Sequence, residues 1–331
     1  MREFDYPSET IEAAYEEAAQ ILEVRAPVLY RAFSLLPRER FYAVSALYAF
    51  SRYADDIVDE YLLGESKERV SATLDALQNR IATLYPSSES PVSGERITRE
   101  QVNVELDEQY LRWWPAFVDT ISRFPTSSEV FLRQIEAQRL DLEAKDIQNL
   151  NALFFYARLL AATIGSMVMA LLEERPDGQH AIELQFASEN LGMAMCFTNI
   201  LRDVGEDILE EDQVYLPISL LKEEGVSRVD ILHLAQTPKG EKPEVPQGFV
   251  KVWELIFNLG ETFYRDFEKY LGELDPYCRL PLLYASRLYR QQAVAVRESG
   301  YNCFNQEIVL SDNVAYDLLR ECQIDLKEKA L

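Results

Sequence analysis

A single all-α domain, a helical bundle around a central cavity, is the architecture this sequence predicts, on three observations. The chain has 331 residues, 48% of them hydrophobic, enough to bury a large core. Its 12 glycines and 14 prolines fall in clusters, not at the short, even spacing of a strand-rich protein. Between those clusters apolar residues recur three and four positions apart over runs much longer than a strand.

Taken in order, "SETIEAAYEEAAQILEV" opens with Ser8 and Thr10 as caps and carries apolar residues at 11, 14, 15, 18 and 22. After Pro37, "RERFYAVSALYAFSRYADDIVDEYLL" reads as one long helix that Gly64 ends. Further helical runs follow at about 66–84, 105–123, 127–144, 149–173, 179–209, 247–272, 277–298 and 306–329. The breaks "YPSSESPVSGERIT", "EERPDGQ" and "QTPKGEKPEVPQG" are polar and too short for interdomain linkers, so residues 1–331 are expected to form one domain. One run, "ALFFYARLLAATIGSMVMALL" at 152–172, is long enough to span a bilayer. Arg158 within it costs about 3 kcal/mol at a bilayer centre, and the run reads instead as a helix buried in the bundle.

The formal net charge of −23 excludes nucleic acid as a partner, because phosphate binding needs basic surface. An anionic ligand would need a metal cation to bridge it to these carboxylates. Cys196, Cys278, Cys303 and Cys322 show no C-x-x-C spacing and read as buried thiols in a reducing compartment. The start "MREFDYPSET" has no apolar signal core, which points to the cytoplasm. Only His180 and His233 exist, both in weak contexts, and no glycine-rich phosphate loop or dinucleotide fingerprint is visible.

The stretch "YAFSRYADDIVDE" puts an arginine and three aspartates into an otherwise apolar helix. At about 3.6 residues per turn, Tyr48, Arg52, Asp55 and Asp59 share one face, with Asp56 beside it. Carboxylates four apart repel by a few tenths of a kcal/mol. A bound Mg²⁺ reverses that sign, since it takes oxygen ligands from one or two carboxylates together with substrate phosphates. A single D-D-x-x-D also suits an ordinary exposed acidic helix end. The second constellation, "TNILRDVGED", repeats the geometry with Asn199, Asp203 and Asp207 spaced by four. Two acidic ledges turned inward on separate helices suit two or three divalent ions holding a diphosphate, with Arg52 and Arg202 as further positive contacts.

With these motifs the chain resembles the squalene/phytoene synthase family, whose members join two prenyl diphosphates head to head. The resemblance runs from "FSLLPRERFYAVSALYAFSRYADDIVDE" through "IEAQRLDLEAKD" and "FFYARLLAATIG" to "TNILRDVGED", "VYLP" and "RLYRQQAVAVRESGYNCF", in the family's order. It implies the isoprenoid-synthase helical fold. Asp55 and Asp59 look like the first Mg²⁺-diphosphate motif, and Asn199, Asp203 and Asp207 like the second. Tyr48 and Arg52 match positions that approach the diphosphate, and Tyr156 matches a pocket tyrosine near the reacting carbons. Tyr215, Tyr289 and Phe33 match further pocket aromatics, and Leu160 and Ile164 follow Tyr156 at four-residue steps along one helix face. For each aromatic, ordinary core packing is the competing reading. The chain departs from the family pattern at Cys196, Gln213, Gln306 and the pair Val28 and Leu29. These changes bear on substrate and product more than on the metal ligands.

The resemblance implies metal-assisted loss of one diphosphate, attack by a second prenyl diphosphate, and a cyclopropyl diphosphate that ionises and rearranges. The substrates are C15 or C20 prenyl diphosphates; the product is phytoene, dehydrosqualene or squalene, and only squalene requires NADPH. Release of such a lipid implies peripheral contact with a membrane. "RDVGED" and "DDIVDE" look more like the carotenoid branch. A class I terpene cyclase and a non-catalytic, family-derived binding protein remain alternatives. The oligomeric state is not readable.

Overall fold

The computed structural model describes residues 6–62, 64–85, 106–124, 126–143, 146–172 and 178–329; the side chains of 60–62, 108–109, 161–164, 166–172 and 178–181 lie outside the description. Among the described residues the regular structure is all helical, as predicted. The described chain separates into two compact units, residues 1–143 with 166–172, and residues 144–165 with 173–331.

The first unit contains α1 (Ser8–Arg25), α2 (Pro27–Phe33), α3 (Arg38–Leu62), α4 (Lys67–Leu84), α5 (Trp114–Arg123) and α6 (Ser128–Leu142). Its central helix is α3, which packs against α1, α4, α5 and α6. Phe50 of α3, Phe117 of α5 and Phe131 of α6 meet with ring centroids 5.0–5.1 Å apart, one pair stacked and two edge-on, the geometry aromatic quadrupoles favour. Two details differ from expectation. The first helix is capped by Pro7 with no side-chain cap, and Ser8 and Thr10 lie inside its first turn. The run expected at 105–123 begins, where described, with a 3₁₀ turn at Glu108–Leu111, because Pro115 suits only the first turn of a new helix. Gly64 does end α3, at φ +105°.

The second unit is built on α8 (Gly178–Arg202), α12 (Gln247–Glu268) and α13 (Pro276–Glu298), with α9 (Val204–Glu210), α10 (Ile218–Glu223), α11 (Arg228–Ala235) and α14 (Asp312–Glu328) added around them. α7 (Leu150–Leu172) contributes residues to both units. Phe197 of α8 packs edge-on to Phe154 and Phe263, and the buried Trp253 indole donates to the Leu201 carbonyl at 3.0 Å. Gly165 lets α7 approach α8, since a Cβ there would lie 2.5 Å from the Ser188 carbonyl oxygen. The four cysteines are free and buried, as predicted.

Helices α10 and α11 are too short to show a period in the sequence, and the last helix starts at Asp312 behind its Ser311 cap, not near 306. Among the described residues no helix is long and apolar enough to cross a membrane. The first half of α7 is nonetheless not buried all round. Phe155 is 63% exposed, and Arg158 reaches out toward Glu189 with 68% of its side chain accessible.

Candidate active site

On α3 the helical period divides the residues cleanly. Leu47, Phe50, Ala54 and Ile57 are buried in the first unit, while Tyr48, Arg52, Asp55 and Asp59 follow one another on a different face. Arg52 is the hub of that face. Its guanidinium meets Asp55 Oδ2 at 2.6 Å and Asp59 Oδ2 at 2.5 Å, and its Nε donates to Asp56 Oδ1 at 2.6 Å. Asp56 also accepts from Arg25 of α1 at 2.9 Å, so it ties the ledge to the neighbouring helix. Burial works against the Arg52 charge, but Asp55, Asp56 and Asp59 outweigh it and hold the group fully cationic.

The Asp55 carboxyl is pushed up to about 6, by burial first and by Asp59 and Asp56 in addition, with Arg52 opposing. Its side chain still keeps 41% of its surface accessible, so water reaches it and it does not lie in a sealed interior. From α6, Gln138 Nε2 donates to Asp55 Oδ1 at 3.2 Å. Phe33 is buried on α2.

The second constellation lies where α8 gives way to α9. The expected single helix over 179–209 is interrupted at Asp203, with φ −103° and ψ 12°. Asp203 N still donates to the Asn199 carbonyl and Asp207 N to the Asp203 carbonyl, each at 2.9 Å, so the four-residue spacing survives the break. Gly205 makes the break sterically feasible. Its N–H donates to the Cys303 carbonyl at 2.9 Å, and a Cβ there would lie 1.9 Å from the Phe304 carbonyl oxygen.

Arg202 grips Asp203 with two parallel hydrogen bonds of 2.6 Å, and its third nitrogen donates to Gln292 Oε1 of α13 at 2.7 Å. Burial opposes the Arg202 charge and Asp203 restores it. The Asp207 carboxyl is pushed well up, by burial and then by Glu211, Asp203 and Glu206. Among the described residues Asn199 Oδ1 is buried with no hydrogen-bond partner, as is Gln138 Oε1 in the first unit. Tyr215 donates to Glu211 at 2.9 Å, and its ring lies 5.2 Å from that of Tyr156, tilted by 36°. Burial raises the Tyr289 hydroxyl, with Arg202 opposing and Asp203 adding, which places this tyrosine within electrostatic reach of the second ledge. Leu160 is half-buried on α7 one turn beyond Tyr156, and the Ile164 side chain lies outside the described residues.

The structure thus gathers Tyr48, Arg52, Asp55, Asp56 and Asp59 in one unit, and Tyr156, Asn199, Arg202, Asp203, Asp207, Tyr215 and Tyr289 in the other. It adds four residues with no role assigned from sequence: Gln138, Glu206, Glu211 and Gln292. Glu211 continues the four-residue step of Asn199, Asp203 and Asp207, a signal the sequence carries. Gln292, 90 positions from Arg202, left no local trace. As a donor set, the ledges suit a hard divalent cation, since they offer carboxylate and amide oxygens only. The orphaned Asn199 oxygen, in register with two carboxylates, is the atom such a cation would satisfy.

Comparison with known proteins bears on this arrangement. The family model described as squalene/phytoene synthase matches residues 26–313. Phytoene synthase 2, chloroplastic, of Oryza sativa subsp. japonica is 30% identical over 295 residues, 88% of this chain and 66% of that protein. The chloroplastic phytoene synthase of an Oncidium hybrid cultivar is 29% identical over 300 residues, 90% of this chain and 65% of its own. The chain therefore spans just under two thirds of these relatives' length. Among solved structures, a dehydrosqualene synthase in complex with ligand superposes with TM-score 0.78 at 25% identity, over 98% of this chain and all of the other. A squalene synthase from Alicyclobacillus acidocaldarius shares the fold, with TM-score 0.68 at 20% identity, over 90% of this chain and 97% of that one.

Proposed function

Because the chain belongs to the squalene/phytoene synthase family, we propose that it joins two C15 or C20 prenyl diphosphates head to head. The route passes through a cyclopropyl diphosphate to phytoene, dehydrosqualene or squalene, and residues 1–331 work as one catalytic domain. The observation that carries the reading is Asn199 Oδ1, buried without a partner in helical register with Asp203 and Asp207. A surface acidic helix end has no reason to hold such an atom. The resemblance of the whole chain to a dehydrosqualene synthase supports the same reaction class.

Asp55, Asp56 and Asp59 of one motif, and Asn199, Asp203 and Asp207 of the other, would hold Mg²⁺. When bound, that cation supplies positive charge where the leaving diphosphate becomes most negative. Arg52 and Arg202 stay charged at any working pH and bind diphosphate oxygens beside it. Tyr48 contributes a polar contact from the same face as Arg52. The tilted rings of Tyr156 and Tyr215 present π-faces to a carbocation, and Glu211 fixes the Tyr215 hydroxyl so that this ring keeps its angle. Tyr289 and Leu160 would help keep water from the cation, and Leu160 would set the chain length accepted; the family resemblance gives Phe33 and Ile164 the same part. NADPH is consumed only if the product is squalene. A product of this size leaves through peripheral contact with a membrane.

The test is incubation of the purified chain with C15 and C20 diphosphates and Mg²⁺, with and without NADPH, followed by mass analysis of the lipid extract. A hydrocarbon with twice the substrate's carbon count is expected. A cyclised product of single substrate length, or no turnover in any combination, overturns the reading.

A further inference from the structure

Gln138 is a buried amide whose two ends are treated very differently. It is 1% exposed on α6, a helix fixed to α4 because Arg139 meets Asp75 at 2.6 Å and Gln78 at 3.0 Å. Its Nε2 donates to Asp55 Oδ1, while Asp55 Oδ2 faces Arg52. The orientation of the amide is dictated by chemistry, since a carboxylate oxygen only accepts and must be met by the N–H end. The carbonyl end therefore points where no donor of the described chain reaches it, and Oε1 remains buried and unpaired. An unpaired buried carbonyl costs free energy that a leucine or methionine at this position would avoid.

We infer that Gln138 is a positioning residue for the first carboxylate motif: its N–H fixes Asp55, and its carbonyl accepts a hydrogen bond from water carried by the cation Asp55 holds. This rests on the proposed cation site. Hydrated Mg²⁺ keeps several waters, all of them donors, and brings them beside the carboxylate it binds. Side chains that orient such a ligand typically change cation affinity by 10–100-fold when removed. The asymmetry of the amide follows directly. One end is satisfied by Asp55 within the described chain, and the inferred cation-borne water supplies the donor for the other.

The test uses the full chain with Mn²⁺ and inorganic diphosphate as probe, read by the electron paramagnetic resonance of free Mn²⁺ and by thermal melting. Gln138→Met keeps the size and removes both polar ends. It should melt at or above the wild-type temperature without cation and bind Mn²⁺ about tenfold more weakly. Affinity within twofold of wild type overturns the inference. Gln138→Glu covers the case in which the methionine variant fails to fold. It should melt lower without cation and gain more than wild type when Mn²⁺ and diphosphate are added; a gain no larger than wild type counts against the role. Asp59→Asn separates the two readings. If Asp59→Asn loses Mn²⁺ and Gln138→Met does not, only the role of Gln138 fails. If wild type and Asp59→Asn bind alike, the cation site fails and the inference with it.

Discussion

Replacing Asp59 by asparagine distinguishes a cation-holding ledge from an acidic helix end, because the two readings predict effects of different size. Asp59 meets Arg52 at 2.5 Å, which puts the charge centres roughly 4 Å apart, an attraction of about 1 kcal/mol in water. With 43% of the Asp59 side chain accessible, screening keeps the pair within the range of about 0–1 kcal/mol found for surface ion pairs. Relief of repulsion with Asp55, one turn back, returns about 0.3 kcal/mol. The cation-free chain should therefore lose less than about 1 kcal/mol, a fall of about 1–3 °C in melting temperature. Turnover should respond on another scale. Removing one group that stabilises leaving-group charge lowers the rate by about 10²–10³-fold, or roughly 3–4 kcal/mol. The assay pairs product formation with melting in the presence and absence of Mg²⁺ and inorganic diphosphate, for Asp59→Asn and Asp203→Asn together. If both variants keep wild-type turnover and the wild-type ligand-induced melting shift, the ledges are solvated surface and the functional reasoning is wrong.

Asn199→Leu should leave the cation-free chain as stable as wild type or more stable by about 1 kcal/mol, because the unpaired carbonyl is gone, while product formation falls at least about a hundredfold; a fall in both stability and activity would assign Asn199 to the fold alone. Gly205→Ala forces a methyl against the Phe304 backbone and should cost about 3 kcal/mol or more, read as a lower urea midpoint at constant m-value; an unchanged midpoint would show that the α8–α9 junction is not held there. Leu160→Ala, at a half-buried position, should shift products toward the longer chain when C15 and C20 diphosphates compete, with stability lowered by about 1 kcal/mol. Unchanged product ratios would remove Leu160 from the pocket.

How much of this was legible beforehand follows from the length scale of each signal. α3 and the ledge on it could be read because the helical period, Pro37, Gly64 and the four-residue charge spacing are all local. The break at Asp203 was not legible. It depends on the Cys303 and Phe304 backbone, some hundred residues away, approaching Gly205, and periodicity over "NILRDVGEDIL" reads straight through it. Helices α10 and α11 span 6 and 8 residues, too few for a period to emerge. Gln138 lay in plain view within "IEAQRLDLEAKD", but a neutral amide next to Arg139 and two residues after Glu136 looks like helix surface. Only its burial and its bond to Asp55 reveal it.

The two ledges share an electrostatic design that explains why each contains an arginine. A chain of net charge −23 cannot gather aspartates on one helix face without a counter-charge, and before any cation arrives that counter-charge has to be covalently present. Arg52 meets Asp55, Asp56 and Asp59 at once, and Arg202 holds Asp203 bidentately. A lysine would serve poorly, since its ammonium titrates when buried and lacks the fork that engages several oxygens together. On the cation-holding reading the same guanidinium groups have a second use. With Mg²⁺ held by the carboxylates, the arginines would be relieved of part of their pairing and would be free to donate to diphosphate oxygens, so one charge would serve both the fold of the ledge and the leaving group. Arg52→Gln tests this directly. It should lower the cation-free melting temperature through the loss of three half-exposed ion pairs, each within about 0–1 kcal/mol. It should strengthen Mn²⁺ binding in the absence of diphosphate, because the cation then meets uncompensated carboxylates. It should also weaken binding of diphosphate to the cation-loaded chain. If Mn²⁺ affinity without diphosphate falls instead, Arg52 orders the ledge for the cation, and the exchange of partners does not occur.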